Sequence, residues 1–410
     1  MKDHQPTKNN KSPKPPGCYI CRNPLTEIHH FYRRMCPACG EFNLAKREQR
    51  VDLQGRVALV TGVRVGIGRQ VALKLLRDGA TVFGTTRFTR HAAQQFAVEP
   101  DFHDWCSRLR ILRADFRVLS SLEWLLLKMF ETTPHLDILI NNAAQTIRRD
   151  PEHYRRLLKL ECLPNSDLPP EIQRVLTVEK MTDHPPQLVY QIEQPAGVTS
   201  FSNSILGPLV SANSGLISIL QLYEKMDSET KIPESLDRSE FPEQGLDLRS
   251  RNSWQLLDHQ VSVVELVEVF LINAIAPFLL CSRLKPLLKA SPAKARYIVN
   301  VTSVEGNFSH PKKRAQHPHT NMAKAALNMF TKTCAKEYAS RDILMNAVDP
   351  GWVSFQQPLQ RAMEMQERDL GPSLDGVDAA ARICDPIYTF ELTGEKIKGK
   401  FLKDFKEHPW

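Results

Sequence analysis

The stretch VALVTGVRVGIGRQVALKLL, residues 57–76, constrains the fold more than any other part of this chain. A short apolar run ends at Gly62, and a segment with helical spacing begins around Gly66 and Gly68. Glycines between a strand and a helix permit a tight turn. They also let backbone N–H groups approach an anion at the positive end of the helix. The same beat continues with ATVFGTTR, LRILRADF, a helix over about 118–130, and LDILINNAA. Strands alternating with helices imply a parallel sheet wound by crossover helices, a Rossmann-type doubly wound α/β fold.

The beat stops after Asn142. Residues 148–250 are polar and proline-rich and read as an insertion, either a lid or an interaction segment. Because this segment leaves the sheet just after NNAA, it is expected near the carboxyl ends of the strands. The alternation resumes with a helix over about 261–283, the strand RYIVNVTS, a helix from about Asn321 to Ser340, the strand ILMNAVDPG, and a last strand at GKFLKDF. The α/β domain is therefore split over residues 51–147 and 251–410, behind a disordered leader (1–16) and a compact cysteine-rich segment (17–45).

Composition bounds the partners. Of 410 residues, 42% are hydrophobic and 24% charged, so a core can form, and a net charge of +8 is mild for this length. Nucleic acid is an unlikely partner on that charge. The run VELVEVFLINAIAPFLL carries Glu265 and Glu268, which favours a core helix over a membrane span. The polar N-terminus has no apolar signal region, so the expected compartment is the cytoplasm, with nuclear access open.

The second strand ends GTTRFTR without the acidic residue that would hold the ribose 2′-OH of NAD. Arg87 and Arg90 suit a 2′-phosphate instead, with Arg64 in the glycine turn as a helper. NADP is expected ahead of NAD. Asp115 is placed to accept from the adenine amino group.

These residues resemble the short-chain dehydrogenase/reductase family. TGVRVGIG resembles the family's TGxxxGxG, and Asn141-Asn142-Ala143-Ala144 its NNAG. INAIAPFLL resembles the helix of its catalytic Asn, at Asn273; IVNVTS the strand of its catalytic Ser, at Ser303; DPGWVS its PG motif, at Pro350 and Gly351. The resemblance covers about 51–147 and 255–354, with a weaker echo to 404. It implies a cofactor site built from Gly62, Arg64, Gly66, Ile67, Gly68, Arg87, Asp115, Asn142, Ala143, Pro350, Gly351 and Lys324, the last also catalytic.

The departure falls at the family's YxxxK, where Lys324 holds the Lys position and Thr320 the Tyr position. A Thr hydroxyl is far less acidic than a phenol. A histidine suits proton exchange near neutral pH, so His319 or His317 of the preceding basic loop is the candidate replacement. Two readings follow. One is an NADP-dependent oxidoreductase acting on an unidentified carbonyl or alcohol. The other is a catalytically weak or inactive NAD(P)-binding sensor or scaffold that meets a protein partner. A homo-oligomer is open in either case.

In CYICRNPLTEIHHFYRRMCPACG, Cys18, Cys21, Cys36 and Cys39 form two CxxC pairs, resembling a zinc ribbon. Four thiolates close a tetrahedral shell, so the zinc would be structural, and His29 and His30 are not needed as ligands. A redox CxxC is the lesser alternative. Such a module is expected to fold around its metal independently of the sheet.

Overall fold

The structure, a computed structural model, describes residues 17–149, 151–162, 167–176, 247–311 and 313–410. The leader and most of the insertion, including 177–246, lie outside the described residues. Eight strands form one sheet in the order β3-β2-β1-β4-β5-β6-β7-β8: Val57–Thr61 (β1), Thr81–Thr86 (β2), Leu109–Arg113 (β3), Ile138–Asn141 (β4), Arg296–Val301 (β5), Ile343–Asp349 (β6), Phe401–Lys403 (β7) and Lys406–His408 (β8). Neighbours pair in parallel as far as β7, and β8 alone is antiparallel. The expected last strand thus becomes a hairpin, turned by Asp404 and Phe405 with φ of 49° and 64°.

The strands read as unbroken apolar runs because helices cover both faces. On one face lie α2 (Gly66–Arg77), α3 (Thr89–Ala97) and, following α10 (Leu359–Glu367) in the chain, α11 (Gly376–Thr393), with Leu73, Phe96 and Ile383 in the core. On the other lie α4 (Leu119–Thr132), α8 (Ala276–Arg283) and α9 (Pro318–Ala339), with Leu125, Leu280 and Ala335. Helix α9 starts three residues earlier than its spacing suggests, because Pro318 pre-sets the first helical φ. The stretch α7 (Val263–Phe270) runs into α8 through one π turn, Leu271–Ile275. It is apolar and long enough to cross a membrane, yet Glu265 and Glu268 are buried within it and it packs on α9.

The insertion leaves the sheet unbroken because its ends meet: the Arg148 N–H donates to Ser253 Oγ at 2.9 Å. Its first helix, α5 (Pro151–Glu161), packs on α3. Its second, α6 (Pro170–Val175), buries Ile172 and Val175 beside the β3 edge, where Leu176 bridges Ile111. The cysteine-rich segment continues into α1 (Pro37–Glu48), which packs on α11. Of the scattered thiols, Cys281 and Cys384 are core residues, whereas Cys162 is exposed.

Candidate functional site

The strand order reverses between β1 and β4, and a cavity of about 990 Å³ opens there. Gly62, Arg64, Gly66, Ile67, Gly68, Arg87, Asp115, Asn142 and Ala143 all line it. Gly62 and Gly66 have φ of +76° and +60°, and a Cβ on Gly68 would lie 2.2 Å from the Gly62 carbonyl oxygen. Only glycine fits that turn. Helix α2 is capped by Val65 without a side-chain hydrogen bond, and its N-terminus, Gly66 to Gly68, faces the cavity. Asn142 latches the turn to β4: its Nδ2 donates to the Thr61 carbonyl at 2.9 Å, and Thr61 Oγ1 accepts from the N–H groups of Asn142 and Ala143. Among the described residues, Pro350, Gly351 and Lys324 do not line the cavity, although Val353 and Ser354 do.

At the β2 end, Arg87 lies 5.4 Å over the Phe88 ring and 5.0 Å over that of Tyr154, whose hydroxyl its guanidinium meets at 3.4 Å. Phe88 and Tyr154 stack with centroids 6.0 Å apart, and Arg64 lies 5.8 Å over Phe88. Helix α5 therefore reaches the carboxyl end of β2, while the expected placement of residues 177–246 lies outside the described residues. Arg90 takes another course. Its guanidinium donates to the Glu161 carbonyl, while the Glu161 carboxylate accepts from the N–H groups of Arg90 and His91 and so caps α3. Asp115 is held by Arg117 at 2.5 and 2.9 Å; burial alone would raise its pKa, but the guanidinium holds it below the usual range. Replacing Tyr154 with Ala should cost Arg87 about 1 kcal/mol of ring contact. NADPH affinity should fall several-fold in titration with NADH affinity unchanged; an unaltered NADPH affinity would show that Arg87 holds its place unaided.

Behind the cavity lining, Lys324 is buried and its Nζ donates to the Val301 carbonyl at 2.8 Å. Burial pushes its pKa down to about 8, against the pull of Asp349. Thr320, one turn earlier on the same helical face, has a buried hydroxyl without a hydrogen-bond partner among the described residues. Ser303 closes β5 and its Oγ accepts from the Glu305 N–H at 3.2 Å. Asn273 sits in the π turn with its side chain paired to the backbone of Gln145, at 2.7 and 3.0 Å. Gln145 in turn donates to Glu268 at 3.1 Å.

The two histidines differ. His317 adopts φ +43°, stacks on Trp254 at 3.8 Å and meets Asn321 at 2.9 Å, and burial lowers its pKa. His319 is buried with Nε2 3.6 Å from Glu265, too long for a hydrogen bond, and neither ring nitrogen has a hydrogen-bond partner among the described residues. The Tyr154, Glu161 and Trp254 contacts escaped sequence reasoning, since contacts between residues far apart in the chain carry no local signal.

The four thiols lie within 4.8 Å of one another, with Cys21 and Cys36 Sγ 3.9 Å apart. A tetrahedral ion with Zn–S bonds of about 2.3 Å needs sulfurs about 3.8 Å apart, so the set fits. The Cys36 N–H donates to Cys18 Sγ at 3.4 Å, which orients that thiolate. His29 is occupied elsewhere: Nε2 meets Glu41 at 3.0 Å and Nδ1 accepts from the Phe31 N–H at 3.1 Å.

Residues 56–158 match the family profile of short chain dehydrogenases, and residues 256–369 that of enoyl-(acyl carrier protein) reductase. An uncharacterised protein of Acanthamoeba polyphaga mimivirus is 30% identical over 90% of this chain and 71% of its own length. This chain belongs to the short-chain dehydrogenase family. The fatty acyl-CoA reductase of Acinetobacter baylyi is 30% identical over 24% of this chain, which spans only 33% of that enzyme. Two solved structures share the fold at 18% identity and a TM-score of 0.50. The RhlG/NADP active-site complex of Pseudomonas aeruginosa covers 86% of this chain and 95% of that one. A short chain dehydrogenase of Burkholderia cenocepacia in complex with NADP covers 86% and 96%. The α/β Rossmann reading thus stands.

Proposed function

We propose that this short-chain dehydrogenase is an NADP-dependent oxidoreductase acting on a carbonyl or alcohol. The observation that carries the reading is the cleft itself, with the α2 N-terminus and glycine turn at one point and Arg87 where NAD would need a carboxylate. In this reading the pyrophosphate lies on the α2 N-terminus, the 2′-phosphate on Arg87 and Arg64, and the adenine against Asp115. Pro350 and Gly351 shape the far edge. Lys324 holds the nicotinamide ribose, Asn273 supports the site through Gln145, and Ser303 orients the substrate oxygen. The cofactor supplies the hydride. Thr320 stands where the family has Tyr, so proton exchange falls to His319. Its Nε2 lies 3.6 Å from the Glu265 carboxylate, the group that would orient the ring once the two close to hydrogen-bond distance. The cysteine set holds a structural zinc. The exposed Val263, Val267, Phe278 and Met322 of α7, α8 and α9 suit a second copy of the chain.

Titration with NADPH and NADH, followed by turnover over a panel of carbonyls, tests this reading. NADPH should bind more tightly. Arg87→Asp should erase or invert the preference, since a charge-assisted hydrogen bond to the phosphate is worth about 1–3 kcal/mol. Equal affinity for both cofactors would remove the basis for NADP. A second reading, a nucleotide-binding sensor or scaffold, is favoured by the buried, unpartnered Thr320 hydroxyl. Tight NADPH binding without turnover, together with activity gained in Thr320→Tyr, would establish it.

A further inference from the structure

We infer that the four-cysteine module is part of the dinucleotide site, with Tyr19 and Tyr32 as positioning residues for the two segments that close the cleft opposite α2. The inference rests on the NADP reading above. Phe31, Tyr32, Arg33 and Arg34, between the two cysteine pairs, line the same cavity as Gly66 and Gly68. The module is thus a wall of the cleft.

The first segment is the end of β6. The Trp352 N–H donates to the phenol oxygen of Tyr19 at 2.9 Å, and Tyr19 directly follows Cys18. Gly351, the residue before, holds φ +85°, and a Cβ there would lie 2.4 Å from Leu374. Leu374 itself packs among Cys18, Tyr19, Tyr32 and Met35. Val353 and Ser354, which line the cleft, follow straight on.

The second segment is the start of α11. Tyr32 donates to Asp378 Oδ1 at 2.6 Å, and Arg47 meets Asp375 and Asp378 at 2.6 and 3.0 Å. Those two carboxylates form the capping box of α11. Gly376, between them, sits against Gln70 of α2 and the backbone of Gly66, at 3.0 and 3.8 Å from where its Cβ would be. The module therefore bears on the phosphate turn through one intervening helix end.

A segment of this size has too little core to hold its shape without a metal or cross-link. Metal occupancy then decides whether Tyr19 and Tyr32 hold the cleft segments, and cofactor and metal affinities must be reciprocally linked.

The experiment uses the full chain. Its zinc content is measured, the metal is stripped with a chelator, and NADPH is titrated before, after, and on restoring zinc. Affinity should fall at least tenfold on stripping and return with zinc. NADPH should slow zinc transfer to a chromogenic chelator. Tyr19→Phe and Tyr32→Phe keep all four thiols; each should retain zinc and weaken NADPH several-fold. Verified zinc loss without a change in NADPH affinity overturns the inference, as does unaltered affinity in both tyrosine variants. Protein purified without metal that still binds NADPH overturns it too. Failure of the zinc-loaded natural protein to bind NADPH overturns the NADP reading as well.

Discussion

His319→Gln should lower turnover with NADPH by about a hundredfold or more, the usual contribution of a positioned general acid or base. NADPH affinity should stay as it is, because His319 lies outside the residues that line the cofactor cleft. The side chain is 2% exposed, and Glu265 lies 3.6 Å from its Nε2. Glutamine retains polarity and approximate size but cannot exchange a proton at neutral pH. A loss in kcat with KM and NADPH binding unchanged therefore separates proton transfer from a packing role. Thr320→Val is the control. It removes a hydroxyl that is buried without a partner, so stability should hold or rise. Full activity in His319→Gln with loss in Thr320→Val would move the role to Thr320, acting through water.

Lys324→Met should make the protein more stable and abolish turnover. The ammonium is buried, and desolvation lowers its pKa from 10.5 to about 8. A shift of that size corresponds to about 3 kcal/mol of destabilisation when the group is charged in both states. Losing its hydrogen bond to the Val301 carbonyl returns about 1 kcal/mol, which leaves a net gain of about 2 kcal/mol at pH 7. The sign follows from proton counts. Below about pH 8 both folded and unfolded forms carry the proton, and the whole penalty is present. Between about 8 and 10.5 the unfolded chain binds more protons, so stability of the natural protein rises with pH and the gap to the variant closes. Urea unfolding of both proteins at pH 7 and pH 10 measures this. A variant equal to or weaker than the natural protein at pH 7 would show that the buried lysine is not a strained group.

The parallel sheet and its cleft were legible because their signals are local. Each apolar run, the glycine turn at residues 62–68 and the start of α2 lie within a few residues of one another. The two CxxC pairs were legible for the same reason. Arg90 was not: beside Arg87 in sequence it looks like a second phosphate ligand, but its partner Glu161 lies 71 residues on, within the insertion. The stacking of His317 on Trp254, just beyond the insertion, is equally non-local.

The amino-acid sequence by itself determined the order of elements, the glycine turn between β1 and α2, the absence of a carboxylate after β2, and the four thiols at knuckle spacing. Those follow from backbone geometry and side-chain chemistry that act over one or two turns of chain. Only the tertiary structure decided that the cysteine module, expected to stand apart, is a wall of the cleft. Tyr32 meets Asp378 across 346 residues. No periodicity or spacing encodes such a contact, because it exists only once the sheet has brought β6, α11 and the N-terminal segment to the same edge.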